Sequence, residues 1–191
     1  MKHLSKLLLV CALLAAALLG GCGKKDPGTP PEVLLDGTAV VVGQSTPEEL
    51  EEKGFETDAS QKLIVTLPER SWTSSIYLKK DGVSYARLTL VNYDSDDKRV
   101  SKCMIEELCF YSLEKEDSKE LNISIDGVNP IGMTSDDLKA AYPDLELDDE
   151  EGDYQFHYLN NGDYTVRFEY ANGALKEIVI KHSFPKSYEE K

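Results

Sequence analysis

The thiols of this chain are Cys11, Cys22, Cys103 and Cys109, its imidazoles are His3, His157 and His182, and its densest carboxylates run from Asp148 to Asp153. A thiolate can attack, carry a lipid or bind a metal, an imidazole moves protons near neutral pH, and crowded carboxylates can hold calcium. Spacing removes most of these options. The chain has no Cys-x-x-Cys, His-Glu-x-x-His or Gly-x-Ser-x-Gly, so zinc knuckles, thiol redox motifs, zinc proteases and nucleophile elbows have no local support. The run Asp148-Asp149-Glu150-Glu151-Gly152-Asp153 misses the EF-hand spacing and reads as a solvated turn without a metal. Cys103 and Cys109 fall in one expected strand, where a rise of about 3.3 Å per residue sets them about 20 Å apart and forbids a disulfide unless the strand is broken there. His157, near Arg167 and Glu169 on a polar sheet face, reads as a solvated cross-strand residue rather than a general base. No catalytic residue, cofactor or enzymatic activity is expected.

Cys22 has different surroundings. Lys2 and Lys6 precede an apolar run from Leu7 to Leu19, and the small residues Gly20 and Gly21 follow it. The run is shorter than the roughly 20 residues of a membrane span but suits the core of a signal peptide. Leu19-Gly20-Gly21-Cys22 resembles the lipobox of bacterial lipoproteins, in which the cysteine sulfur takes a diacylglyceryl group and the chain is cut before it. The resemblance implies lipidation at Cys22 and an extracytoplasmic chain anchored to a bacterial membrane. Two acyl chains at about 0.8 kcal/mol per buried methylene make a firm anchor.

Losing Lys2 and Lys6 with the leader lowers the formal net charge from −14 to −16. Such a charge repels nucleic acid, which is excluded as a partner. Residues 22–33 read as a lipidated tether, since the Pro and Gly of Gly23 to Val33 oppose regular structure.

Two stretches, Ser45 to Phe55 and Ile131 to Pro143, read as equivalent short helices. Thr46 and Thr134 are their N-caps, Pro47 opens the first, acidic residues fill both first turns, and Gly54 and Pro143 end them. Glu49 is placed to complete a capping box with Thr46. Alternating strands follow each helix, at Ser75 to Lys79, Ser84 to Tyr93 and Arg99 to Tyr111, and at Tyr154 to Leu159, Tyr164 to Tyr170 and Ala174 to His182. Asp81-Gly82, Asn160-Asn161-Gly162 and Asn172-Gly173 mark turns between them. The expected class is α+β: two tandem units of a short helix packed on a three- to four-stranded antiparallel meander, able to share one continuous sheet. The organisation is a lipoprotein signal peptide at 1–21, the tether at 22–33, a first repeat at 34–112, a charged linker at 113–119, a second repeat at 120–183 and a polar tail at 184–191.

The Gly-Met-Thr-Ser-x-x-Leu pattern at Gly132 to Leu138, with the helix, meander and second copy around it, resembles the repeat of β-lactamase inhibitory protein. It is also similar to the small outer-membrane assembly lipoproteins of the SmpA/OmlA type, which use one unit. The resemblance implies a non-enzymatic domain that binds another protein through its sheet.

Period-two alternation assigns residues to that sheet. Tyr154, Phe156, Tyr158, Val166, Phe168, Tyr170, Ile178 and Ile180 are expected on the covered face of the second meander. Gln155, His157, Thr165, Arg167, Glu169, Glu177 and Lys181 then lie opposite. In the first meander Ile76, Leu78, Ala86, Leu88 and Leu90 mark the covered face, leaving Tyr77, Tyr85, Arg87 and Tyr93 open. Tyrosine and arginine on an open sheet suit a protein interface, so Tyr77, Tyr85, Arg87, Tyr93, Arg167 and Glu169 are the candidate partner-binding residues. The expectation is a membrane-anchored envelope lipoprotein serving as a binding or assembly module for an envelope or secreted protein. The alternative is a surface lipoprotein that takes a small molecule, cation or wall fragment, for which a pocket between the halves would be required.

Overall fold

The computed structural model describes residues 27–58, 66–183 and 188–190. The expected leader and Cys22 lie outside the described residues. The elements in chain order are β1 (Val33–Leu35), β2 (Thr38–Val40), α1 (Pro47–Glu51), β3 (Glu56–Thr57), β4 (Thr66–Leu67), β5 (Ser71–Lys80), β6 (Val83–Val91), β7 (Lys98–Arg99) and β8 (Met104–Tyr111). They continue with β9 (Ile123–Ile125), α2 (Ser135–Ala141), β10 (Glu146–Glu151), β11 (Tyr154–Asn161), β12 (Tyr164–Ala171), β13 (Ala174–His182) and β14 (Glu189–Glu190).

One sheet dominates. Its strands run in the order β10-β11-β12-β13-β8-β6-β5-β14, with β3 pairing on β5 as well. Every pairing is antiparallel except that of β14 with β5. A second sheet, β2-β1-β9, is small, and β4 pairs with β7. The expected α+β class, with two helix-on-meander units, is therefore corrected. Strands account for 48% of the structure and helical residues for 13%, so the chain is mostly β. The physical reason is the pairing of β8 with β13, which carries the ladder across both meanders. The helices, of five and seven residues, are too short to cover a sheet of this width.

The turn chemistry explains the hairpins. Asp36-Gly37, Asp81-Gly82, Asp126-Gly127 and Asn172-Gly173 all hold both residues at positive φ, between 48° and 81°. Asx-Gly is the pair that supplies two such residues and matches the strand twist. Two of these turns flank the small sheet. Val33, Leu34 and Leu35 of β1 lie opposite Ile125, Ser124 and Ile123 of β9. Asp36 donates its N–H to the Asn122 carbonyl, and Asp126 donates to that of Glu32, both at 2.8 Å.

The small sheet and both helices close the core over one face of the large sheet. Val33, Leu35, Ile123, Ile125, Leu50 and Leu138 join Ile76, Leu88, Leu108, Phe110, Phe168, Ile178 and Ile180 in a single buried cluster. Both helices open with complete capping boxes, one between Thr46 and Glu49 and the other between Thr134 and Asp137. The Thr134 hydroxyl and backbone N–H hold the Asp137 carboxyl below its ordinary pKa.

Two further expectations change. The acidic run is not a turn: Asp148 to Glu151 belong to β10, an edge strand paired with β11, and the turn comes only at Gly152-Asp153. The span from Arg99 to Tyr111 is not one strand, because a 3-10 turn at Val100–Lys102 separates β7 from β8. Both remaining thiols are free and buried.

Because each threonine satisfies helix amides that have no other protein partner, Thr46→Ala and Thr134→Ala should each cost about 1 kcal/mol, and their effects should add. Urea denaturation of the two single variants and the double variant measures this.

Candidate functional site

The face of the large sheet turned away from the core is the candidate site. Tyr77, Arg87, Cys109, Val179, Arg167 and Tyr158 stand directly opposite one another on β5, β6, β8, β13, β12 and β11. With strands about 4.8 Å apart, this row is about 24 Å wide. A parallel row of Tyr111, Glu177, Glu169 and Phe156 flanks it on one side, and Thr89, Glu107, Lys181 and Thr165 flank it on the other. Tyr77 and Tyr111 meet edge to face with ring centroids 6.5 Å apart. Both are more than a third exposed, whereas Arg87, Val179, Arg167 and Tyr158 are half-buried.

Most charges on this face answer one another. Arg167 pairs with Glu177 and lies 3.7 Å from Glu169, its guanidinium over the Phe156 ring at 5.9 Å. Lys181 pairs with Glu107 at 3.8 Å. Arg87 is different: among the described residues its guanidinium donates only to the Cys109 sulfur, at 3.5 Å, and meets no carboxylate. Burial holds the Cys109 thiol up at about 12, with the Glu177 carboxylate adding to the shift. Burial likewise lifts Cys103 to about 11.

Of the six sequence-designated residues, the structure brings together Tyr77, Arg87, Arg167 and Glu169 on this face. Tyr85 and Tyr93 are corrections. Leu78 lies opposite Ala86 and Lys79 opposite Ser84, so Tyr85 is the extra residue of a bulge. It turns onto the core side, 8% exposed, with its ring 5.6 Å from that of Phe55. Tyr93 lies past the end of β6, beyond another bulge at Thr89/Leu90, with its hydroxyl buried. Cys22 lies outside the described residues.

The phase of β11 is also corrected. His157 lies opposite Phe168, and Leu159 opposite Val166, so these residues face the core while Phe156 and Tyr158 face outward. His157 is fully buried, within 2.9 Å of the Ser135 hydroxyl at the start of α2. It is neither solvated nor open to substrate. Phe156, Tyr158 and Tyr111 are site residues that the alternation missed. Pairing with β12 places Phe156 and Tyr158 beside Glu169 and Arg167 on the open face, and pairing of β8 with β13 places Tyr111 beside Glu177.

A second cluster of reactive groups closes one end of the core. Glu106 is fully buried, its Oε2 2.7 Å from His182 Nδ1. The Tyr164 ring lies 4.9 Å from the imidazole, and the Gly43 backbone packs so closely that a Cβ there would meet His182 Cγ at 3.1 Å. Burial holds the Glu106 carboxyl above its ordinary pKa, against the opposing pull of Tyr93 and His182. Burial chiefly, then Glu106 itself, drives the Tyr93 phenol upward. No serine or cysteine shares a hydrogen bond with this pair among the described residues, and the contact joins a buried carboxyl to a partly exposed imidazole.

No protein-family model, curated protein or solved structure matches this chain.

A raised Glu106 pKa means that the folded chain binds this proton more tightly than the unfolded chain. The stability it contributes is fully present below the ordinary carboxylate pKa of about 4.3 and is lost as pH rises through the raised value. Glu106→Gln should therefore flatten the fall in stability across that interval. His182→Ala, which removes the hydrogen-bond partner of a buried carboxyl, should cost about 1–3 kcal/mol. Denaturation curves from pH 4 to 8 test both outcomes.

Proposed function

We propose that this chain is a lipid-anchored protein of the bacterial envelope whose open sheet face docks another protein, without catalysing a reaction. The observation that carries this reading is the lateral row from Tyr77 to Tyr158, with Arg87 lacking a carboxylate partner among the described residues. Aromatic rings and arginine are enriched at docking surfaces, and an unpaired guanidinium favours a partner that presents a carboxylate to it. Four clefts lined by described residues lie beside turns, helices and strand ends. They give a small-molecule reading no comparable support. The resemblance of Gly132 to Leu138 to the β-lactamase inhibitory protein repeat supports the same non-catalytic role, and Leu19 to Cys22 supports the anchor.

In this reading Cys22→Ser abolishes partitioning into the detergent phase, and unchanged partitioning would remove the anchor. For docking, a partner captured from native envelopes by the wild-type chain should bind Arg87→Ala and Tyr158→Ala roughly thirtyfold more weakly, the loss of about 2 kcal/mol typical of an interface anchor. Tyr85→Ala should instead lower stability by on the order of 3 kcal/mol, the usual cost of emptying a buried aromatic site. Wild-type affinity in both Arg87→Ala and Tyr158→Ala would move the interface off this face.

A further inference from the structure

The tether assigned to residues 22–33 is not free along its length. The Pro27 carbonyl accepts the Asp163 N–H at 2.9 Å, which lays the chain against the turn between β11 and β12. Two glycines make that approach possible. A Cβ on Gly28 would stand 2.2 Å from the Asn161 carbonyl oxygen, and one on Gly162 would stand 2.4 Å from the Pro27 carbonyl carbon. Both obstacles are backbone, so they cannot swing aside. From there Thr29, Pro30 and Pro31 line a cleft with Leu159, Tyr164 and Val166. The segment ends at Glu32, which donates its N–H to Asp126 Oδ1 at 2.8 Å and accepts the Asp126 N–H at 2.8 Å. The prolines fix φ and remove donors, so the docked path gives up little chain entropy.

Docking from Pro27 onward shortens the leash. Five residue steps separate Cys22 from Pro27 and span at most about 18 Å, whereas the eleven steps to Val33 would span about 40 Å. Strand β12 then leads away from the clamped turn for eight residues, about 27 Å at full extension. We infer that the Asn161-Gly162-Asp163 turn is the membrane-proximal end of the folded chain, held beside the lipid surface by the Pro27-Gly28 clamp, with the Asn172-Gly173 turn directed away from it. This rests on lipidation at Cys22, the anchor reading given above. It adds an orientation: strands β11 to β13 rise from the bilayer, and the open face is reached from the side.

The test uses the full, processed chain in phosphatidylethanolamine/phosphatidylglycerol vesicles that carry a nickel-chelating lipid. A nitroxide is attached at Asn160→Cys or at Asn172→Cys, both exposed positions, while Cys103 and Cys109 are buried. Relaxation by surface nickel should be several-fold stronger at position 160 than at position 172. Gly28→Val, which clashes from the tether side and leaves the strands intact, should reduce that ratio toward one with unchanged circular dichroism. Equal relaxation at the two positions in the acylated wild type, or a gradient that survives Gly28→Val, overturns the orientation alone. Mass spectrometry of each sample separates this from failure of the anchor: a chain that lacks the acyl mass and washes off the vesicles overturns both readings.

Discussion

The antiparallel seam between β8 and β13 is the contact on which the rest of the structure depends. Five residue pairs, from Glu177 with Tyr111 to Lys181 with Glu107, join strands that are far apart in sequence. Without the seam, the large sheet would part into two smaller sheets, β10-β11-β12-β13 and β8-β6-β5-β14, each under a helix of two turns or less and each burying a smaller fraction of its surface. With it, Leu108, Phe110, Ile178 and Ile180 form the middle of one core rather than the edges of two. The seam also determines the character of the outer surface. Cys109 and Val179 sit on it, and they link Arg87 to Arg167 in one continuous row.

The small sheet contributes a second crossing between the same two halves of the chain. Its β1–β9 pairing uses segments that each end in an Asp-Gly turn, and reciprocal backbone hydrogen bonds flank it. Two independent crossings hold the halves in a fixed relation, which a single ladder of five pairs would leave free to twist. The docking proposed for the outer face would benefit from this, because rigidity in the free state lowers the entropy lost on association.

What was legible in the sequence follows the range of the forces involved. Caps and turns depend on neighbours within four residues, and Thr46, Thr134, Asp81-Gly82 and Asn172-Gly173 occur where local chemistry requires them. The strands of the second meander lie within two residues of their expected ends. Which face a residue occupies depends instead on partner strands, and there local reading fails. Tyr154, Phe156 and Tyr158 form the more apolar set of β11, yet the register with β12 turns Phe156 and Tyr158 outward and His157 inward. A single bulged residue moved Tyr85 across the sheet, because period two has no memory of an insertion. The fold class was misjudged for the same reason. Helix signals are local and conspicuous, whereas the β8–β13 ladder that makes the chain mostly β is a long-range event.

Burial of the two thiols also bears on how the chain ages. With a pKa lifted to about 11, Cys103 carries on the order of one thiolate per ten thousand molecules at neutral pH, and Cys109 carries fewer still. Disulfide exchange proceeds through the thiolate and needs an open line of attack, and both sulfurs are shielded. The folded chain can therefore remain among oxidants with two reduced cysteines and no scrambling, and its resistance to oxidative cross-linking lasts as long as its core stays closed.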